Sequence, residues 1–190
     1  MIKANGIHHI AIMAADIREH IAFFSDVMGF QLSALFDMHG VPGGVHAFLH
    51  MDDHSYFSIV QLPAVKDIPI QLGVTHAGTG AGPSAPGTMQ HLAFRVDTLD
   101  DLLAIRDRIR TKGINVIGPM DHAMCHSIYF AGPDNMTLEV ACSTVPIDPR
   151  AWIDPAVVEK VGITPAELEN FKNPDPYAGE GGKVKQPPYD

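Results

Sequence analysis

The sequence predicts an α+β fold made of two copies of a βαβββ module. Three observations carry this. The stretches "HHIAIMAADIREHIAFFSDVMGFQL" (8–32) and "QHLAFRVDTLDDLLAIRDRIRTKGINV" (90–116) read alike, each opening His–apolar–Ala–apolar. Each then runs as an amphipathic helix and stops at a glycine, Gly29 or Gly113. Three strand-like runs follow each helix, separated by turn signals.

Taken in order, the first strand is called by apolar alternation ahead of Asp16. Asp16 suits a helix N-cap, because its side-chain oxygen can accept the orphan amides of the first turn. Ile17, Ile21, Phe24 and Met28 form one helical stripe, and Gly29 suits the left-handed residue that ends it. Strands are expected at 30–36, 45–51 and 55–62, with "HGVPGG" as a turn, which completes a first module at 1–74. The segment 75–88, "THAGTGAGPSAPGT", is too poor in apolar residues to fold alone and reads as a joint or a mobile flap.

The second module, 89–145, repeats the plan. Thr98 is its N-cap, Leu99, Leu102, Leu103, Ile105, Arg106 and Ile109 cover a broad helical face, and Gly113 ends the helix. Strands are expected at 114–117, 123–131 and 136–142, with "GPDN" as a turn. The tail, 146–190, holds one short capped helix in "TPAELENF". The rest of the tail is rich in Pro and Gly and is expected to lie extended on its own surface or on a partner subunit.

Composition narrows the function. Of 190 residues, 46% are hydrophobic and 18% charged, enough for a sizeable core. A formal charge of −9 argues against a nucleic-acid partner, whose phosphates are met by clustered Lys and Arg. No apolar run of about 18 residues is present, so no membrane span is expected. The opening residues lack the pattern of a signal peptide. Two cysteines, Cys125 and Cys142, are too few for a disulfide framework and suit a cytoplasmic location. Eleven histidines are the compositional oddity and invite a search for metal ligands.

Strand alternation sorts the faces. Ile10 and Ile12 pack on the helix, so His9, Ala11 and Met13 point the other way. In the repeat, Leu92, Phe94 and Val96 match the packed face, and His91, Ala93 and Arg95 the opposite one. Leu138 and Val140 pack inward, which leaves Glu139 on the face of the two histidines. Two imidazoles and a carboxylate on one concave face form the 2-His-1-carboxylate set typical of non-haem Fe(II), and Mn(II) fits the same ligands. His9, His91 and Glu139 are therefore the candidate metal ligands. Counting 48 or 49 residues on from His9, the separation of His91 from Glu139, reaches Phe57 or Ser58; by alternation Ser58 is the one on the cavity face, and it is a poor ligand. A fourth protein ligand is not expected.

Paired βαβββ modules with these residues on equivalent strands resemble the vicinal oxygen chelate superfamily, over residues 5–145. The resemblance implies a curved, incompletely closed mixed β-barrel around a metal site. Two motifs resemble type I extradiol dioxygenases in particular. One runs from His122 through "AMCHS" to Ile128-Tyr129, then "FAGP", "DNMTL" and Glu139; Gly132 and Asn135 depart from the family pattern in the turn. The other is "FLHMDDHS", which ends on His54 and Ser55.

That resemblance implies an Fe(II)-dependent ring-cleaving dioxygenase taking a small aromatic vicinal diol and O2. His54 would be its acid/base, Tyr129 a hydrogen-bond partner of the substrate oxygen, and His122 a substrate-holding group, a role His126 could exchange with it. It also implies a homodimer or higher homo-oligomer, since the superfamily often pairs modules across subunits. Two alternatives stand beside it: a metal-dependent glyoxalase- or epimerase-type enzyme, and a non-catalytic small-molecule-binding protein.

Overall fold

The computed structural model describes residues 3–188. The chain divides into a compact unit of residues 8–146 and a second unit made of the terminal segments on either side.

The larger unit opens with β1 (His9–Met13), then α1 (Ile17–Phe23), β2 (Gln31–Asp37), β3 (Val45–Asp52) and β4 (Ser55–Gln61). Asp16 caps α1 as its residue type requires, Oδ1 accepting the amides of Arg18 and Glu19 at 2.9 and 3.2 Å. The helix does not continue regularly to Gly29. Phe24–Met28 form a π-helical turn, ended by Gly29 in the left-handed region (φ 81°). Phe24, Val27 and Met28 of this turn are all buried in the core.

The repeat gives β5 (Leu92–Arg95), α2 (Leu99–Thr111), β6 (Val116–Asp121), β7 (His126–Ala131) and β8 (Thr137–Cys142). Thr98 and Asp101 cap α2 reciprocally. The strand expected at 123–131 starts only at His126. Ala123 sits at φ 64°, and the His122 amide donates to the Cys125 carbonyl at 2.9 Å, closing a tight turn. The strand expected at 114–117 lies later, at Val116–Asp121.

Each module forms its own four-stranded mixed sheet, ordered β1-β4-β3-β2 and β5-β8-β7-β6. In each, the opening strand runs parallel to the last and the other neighbours are antiparallel. Among the described residues the sheets do not close into a barrel, as expected. One core joins the modules. Phe24 lies 4.2 Å from Phe57 by ring centroid, and Phe57 lies 5.8 Å from Phe94. Polar ties flank it: Lys112 Nζ lies 2.6 Å from Asp26 Oδ1, and Asp134 Oδ2 accepts the Ala15 amide at 2.8 Å.

In the other unit, α3 (Pro149–Trp152), α4 (Pro155–Lys160) and α5 (Pro165–Lys172) are short helices, each with Pro in its first turn. The helix expected in "TPAELENF" is α5, with Thr164 and Glu167 as a capping box. Among the described residues no helix is long and apolar enough to cross a membrane.

Candidate metal centre

Register fixes the faces. Ile10 and Ile12 lie opposite Phe57 and Ile59, both fully buried, so His9 and Ala11, opposite Tyr56 and Ser58, project from the other side. In the second sheet Ala93 lies opposite Glu139, as Ala11 lies opposite Ser58. Ser58 thus stands where the repeat places Glu139, as the sequence count expects.

The structure brings His91 and Glu139 together, with Nε2 3.0 Å from Oε2. Glu139 is 5% exposed. The Oε1 atom of Gln90 meets Nδ1 of His91. An amide oxygen only accepts, so a neutral His91 carries its proton on Nδ1 and presents a bare lone pair at Nε2. That lone pair then faces a buried carboxylate oxygen, and two acceptors at this distance need a cation or a proton between them. A divalent ion with nitrogen and oxygen ligands fits this pair.

Tyr129, on β7 opposite Glu139, completes the surroundings. Its hydroxyl is 3.0 Å from His122 Nε2, so these two catalytic candidates are in contact. Burial pushes the Tyr129 phenol up from its ordinary value; a hydrogen bond with Ser127 opposes this and the Glu139 charge adds to it. His126 alternates with Ile128 and Phe130, away from Tyr129, and its Nε2 lies 3.8 Å from Asp121. His122 therefore lines this face and His126 does not.

The remaining candidates lie apart. His54 is exposed in the turn before β4, its backbone amide donating to Asp52 Oδ1 at 2.8 Å. His9 belongs to the first sheet, its ring centroid 5.4 Å from Phe48 and 5.2 Å from His8. Among the described residues no three metal-binding side chains converge, so one chain supplies His91 and Glu139 as a pair without His9.

His46 is not among the candidates read from the sequence. It sits on β3, on the face of the first sheet that carries Ser58, 2.5 Å from the Oγ of that fully buried serine and 4.5 Å by ring centroid from Phe48. Burial, then the charge of nearby His9, lowers its pKa. The alternation of His46, Phe48 and His50 was the available signal. A cavity of about 800 Å³ adjoins this face at the free edge of β1, lined by Met13, Val65, Ile68, Met89 and Met136 among others.

Comparison with known proteins agrees with this architecture. The chain is 28% identical over 153 residues to the biphenyl-2,3-diol 1,2-dioxygenase of Paraburkholderia xenovorans (strain LB400), covering 78% of this chain and 44% of that protein. It is 36% identical over 66 residues to biphenyl-2,3-diol 1,2-dioxygenase 2 of Rhodococcus globerulus, 34% of this chain and 35% of that protein. The chain thus spans less than half the length of these curated relatives.

Among solved structures, a glyoxylase/bleomycin resistance protein/dioxygenase domain from Frankia sp. EAN1pec superposes with a TM-score of 0.58 at 12% identity. That match covers 74% of this chain and 99% of that one. A mutant fosfomycin resistance protein from Listeria monocytogenes, complexed with Mn(II), gives 0.52 at 16% identity, over 78% and 99%. These likenesses speak to the fold. The model of the Glyoxalase/Bleomycin resistance protein/Dioxygenase superfamily matches residues 6–140, and with its paired βαβββ sheets the chain belongs to that superfamily.

Proposed function

We propose that the protein is a metal-dependent ring-cleaving dioxygenase acting on a catechol or similar vicinal diol with O2. The observation that carries this reading is the pairing of His91 with buried Glu139, beside a tyrosine in contact with His122. The metal is Fe(II), with Mn(II) able to occupy the same ligands. When bound, Fe(II) supplies the electron transfer that lets a diol react with dioxygen despite the spin barrier.

The chain's own residues do the rest. Glu139 and His91 Nε2 hold the ion, and His9 is the third ligand. Because no third donor converges on the pair among the described residues, His9 comes from a second copy. A two-fold exchange of this kind makes two equal sites. Tyr129, kept protonated by its burial, donates its O–H to a substrate oxygen, and His122 steadies the phenol. His54, from its exposed turn, takes a proton from the diol hydroxyl and returns it to the product. The apolar cavity beside Ala11 and Met13 takes the non-polar part of the aromatic ring.

Glyoxalase-type chemistry is disfavoured because Ser58, not a carboxylate, stands at the position equivalent to Glu139. Anaerobically purified protein is expected to hold about one iron or manganese per site and to consume O2 with catechol. His91→Ala is expected to lose both the metal and the uptake. Zinc or nickel in the wild type, with no oxygen uptake across a catechol panel, would overturn the reading.

A further inference from the structure

Gln90 lies between the linker and the metal centre, and the chemistry above leaves it without a role. Its amide is engaged at both ends. Nε2 donates to the carbonyls of Thr79, Gly80 and Gly82 at 3.2, 3.1 and 2.9 Å, and Oε1 meets His91 Nδ1. The NH2 group has two hydrogens, so three carbonyls around it make a shared seat that only the donor end can occupy. The oxygen is thereby directed at His91. His91 must donate to it from Nδ1, which keeps the Nε2 lone pair open toward Glu139.

The same three carbonyls belong to the linker that covers Tyr129. A Cβ added at Gly80 would lie 3.2 Å from Tyr129 Cε1, and one at Gly82 would lie 2.0 Å from the Ala77 carbonyl oxygen. Gly80 thus brings the linker backbone against the Tyr129 ring, and Gly82 lets the linker fold back on the Ala77 carbonyl. Linker path, Tyr129 cover and His91 tautomer therefore meet at one side chain.

The geometry points to Gln90 as a positioning residue that couples the seating of the 75–88 linker over Tyr129 to the presentation of His91 Nε2 at the metal centre. This rests on the metal reading above. Two substitutions separate its two ends. Gln90→Ala removes both. Gln90→Glu keeps an oxygen for His91 but sets the other against three carbonyls.

Two readouts follow the two ends. Mn(II) affinity is measured by electron paramagnetic resonance of the free ion. Linker seating is read from amide exchange at Gly82, whose N–H donates to the Thr79 carbonyl at 3.0 Å. Gln90→Ala is expected to weaken Mn(II) binding by about tenfold or more, within the range for lost outer-sphere partners, and to speed exchange at Gly82. Gln90→Glu is expected to bind Mn(II) more tightly than Gln90→Ala while exchanging as fast at Gly82.

Equal loss of metal in both variants makes the effect general damage and overturns the inference, as does wild-type affinity in Gln90→Ala. A wild-type protein that binds no divalent ion overturns the metal reading and this inference together.

Discussion

At the scale of single residues, which ring nitrogens carry protons governs the histidine-bearing faces of both sheets. His91 is fixed by Gln90, whereas His46 is fixed by Ser58, whose hydroxyl is fully buried. If Ser58 donates to Nε2, His46 is neutral with its proton on Nδ1, which agrees with the lowering of its pKa by burial and by His9. The sign of the pH effect follows. A histidine titrating below its ordinary value of about 6.5 contributes stability that is full above that value and is lost as pH falls toward the folded pKa. In metal-free protein, the His46 ring is expected to show an NMR titration midpoint below about 6.5. Urea stability is expected to decline on acidification less steeply in His46→Phe than in the wild type. A midpoint at or above the ordinary value would count against the buried Ser58 pairing.

At the scale of elements, local chemistry sets boundaries that the site depends on. The Thr98–Asp101 capping box starts α2, whose Leu102 and Ile109 are fully buried in the shared core. Thr98→Ala is expected to cost about 1 kcal/mol of unfolding free energy, the usual value for a lost N-cap, with the urea midpoint as the measurement. Gly118, in the irregular part of the β6–β7 pairing, is different in kind. It has φ 104°, and a Cβ there would lie 2.6 Å from the Ser127 carbonyl oxygen. Gly118→Ala is therefore expected to destabilise more than Thr98→Ala and to displace the strand that carries Tyr129. An equal or smaller loss would mean that β6 shifts freely.

At the scale of the whole molecule, the three proposed ligands have to meet. Each sheet presents its own face, one with His9 and the other with His91 and Glu139, and among the described residues one chain does not bring the three together. If a second copy supplies His9, variants that are dead separately restore each other. His9→Ala and Glu139→Gln, mixed after reversible unfolding, are expected to recover about a quarter of wild-type oxygen uptake. Random pairing makes about half the dimers mixed, each with one intact site of two. No recovery from a mixture that sedimentation shows to be dimeric would place all three ligands within one chain.

The sequence alone determined the repeated βαβββ plan, both helix caps, the glycine stops and the division of strand residues between two faces. Each of these is a local rule: alternation, a side-chain oxygen at a helix start, a left-handed residue at its end. It also put His91 and Glu139 on one sheet face, because strand parity carries over distance without loss, whereas Tyr129 and His122 became candidates through the family resemblance. Only the tertiary structure decided the rest. It placed His46 on Ser58, set His54 in an exposed turn, replaced the end of α1 by a π-helical turn, and left His9 on a separate sheet. Those outcomes depend on how sheets, turns and side chains pack in three dimensions, and residues far apart in sequence carry no local signal of that packing.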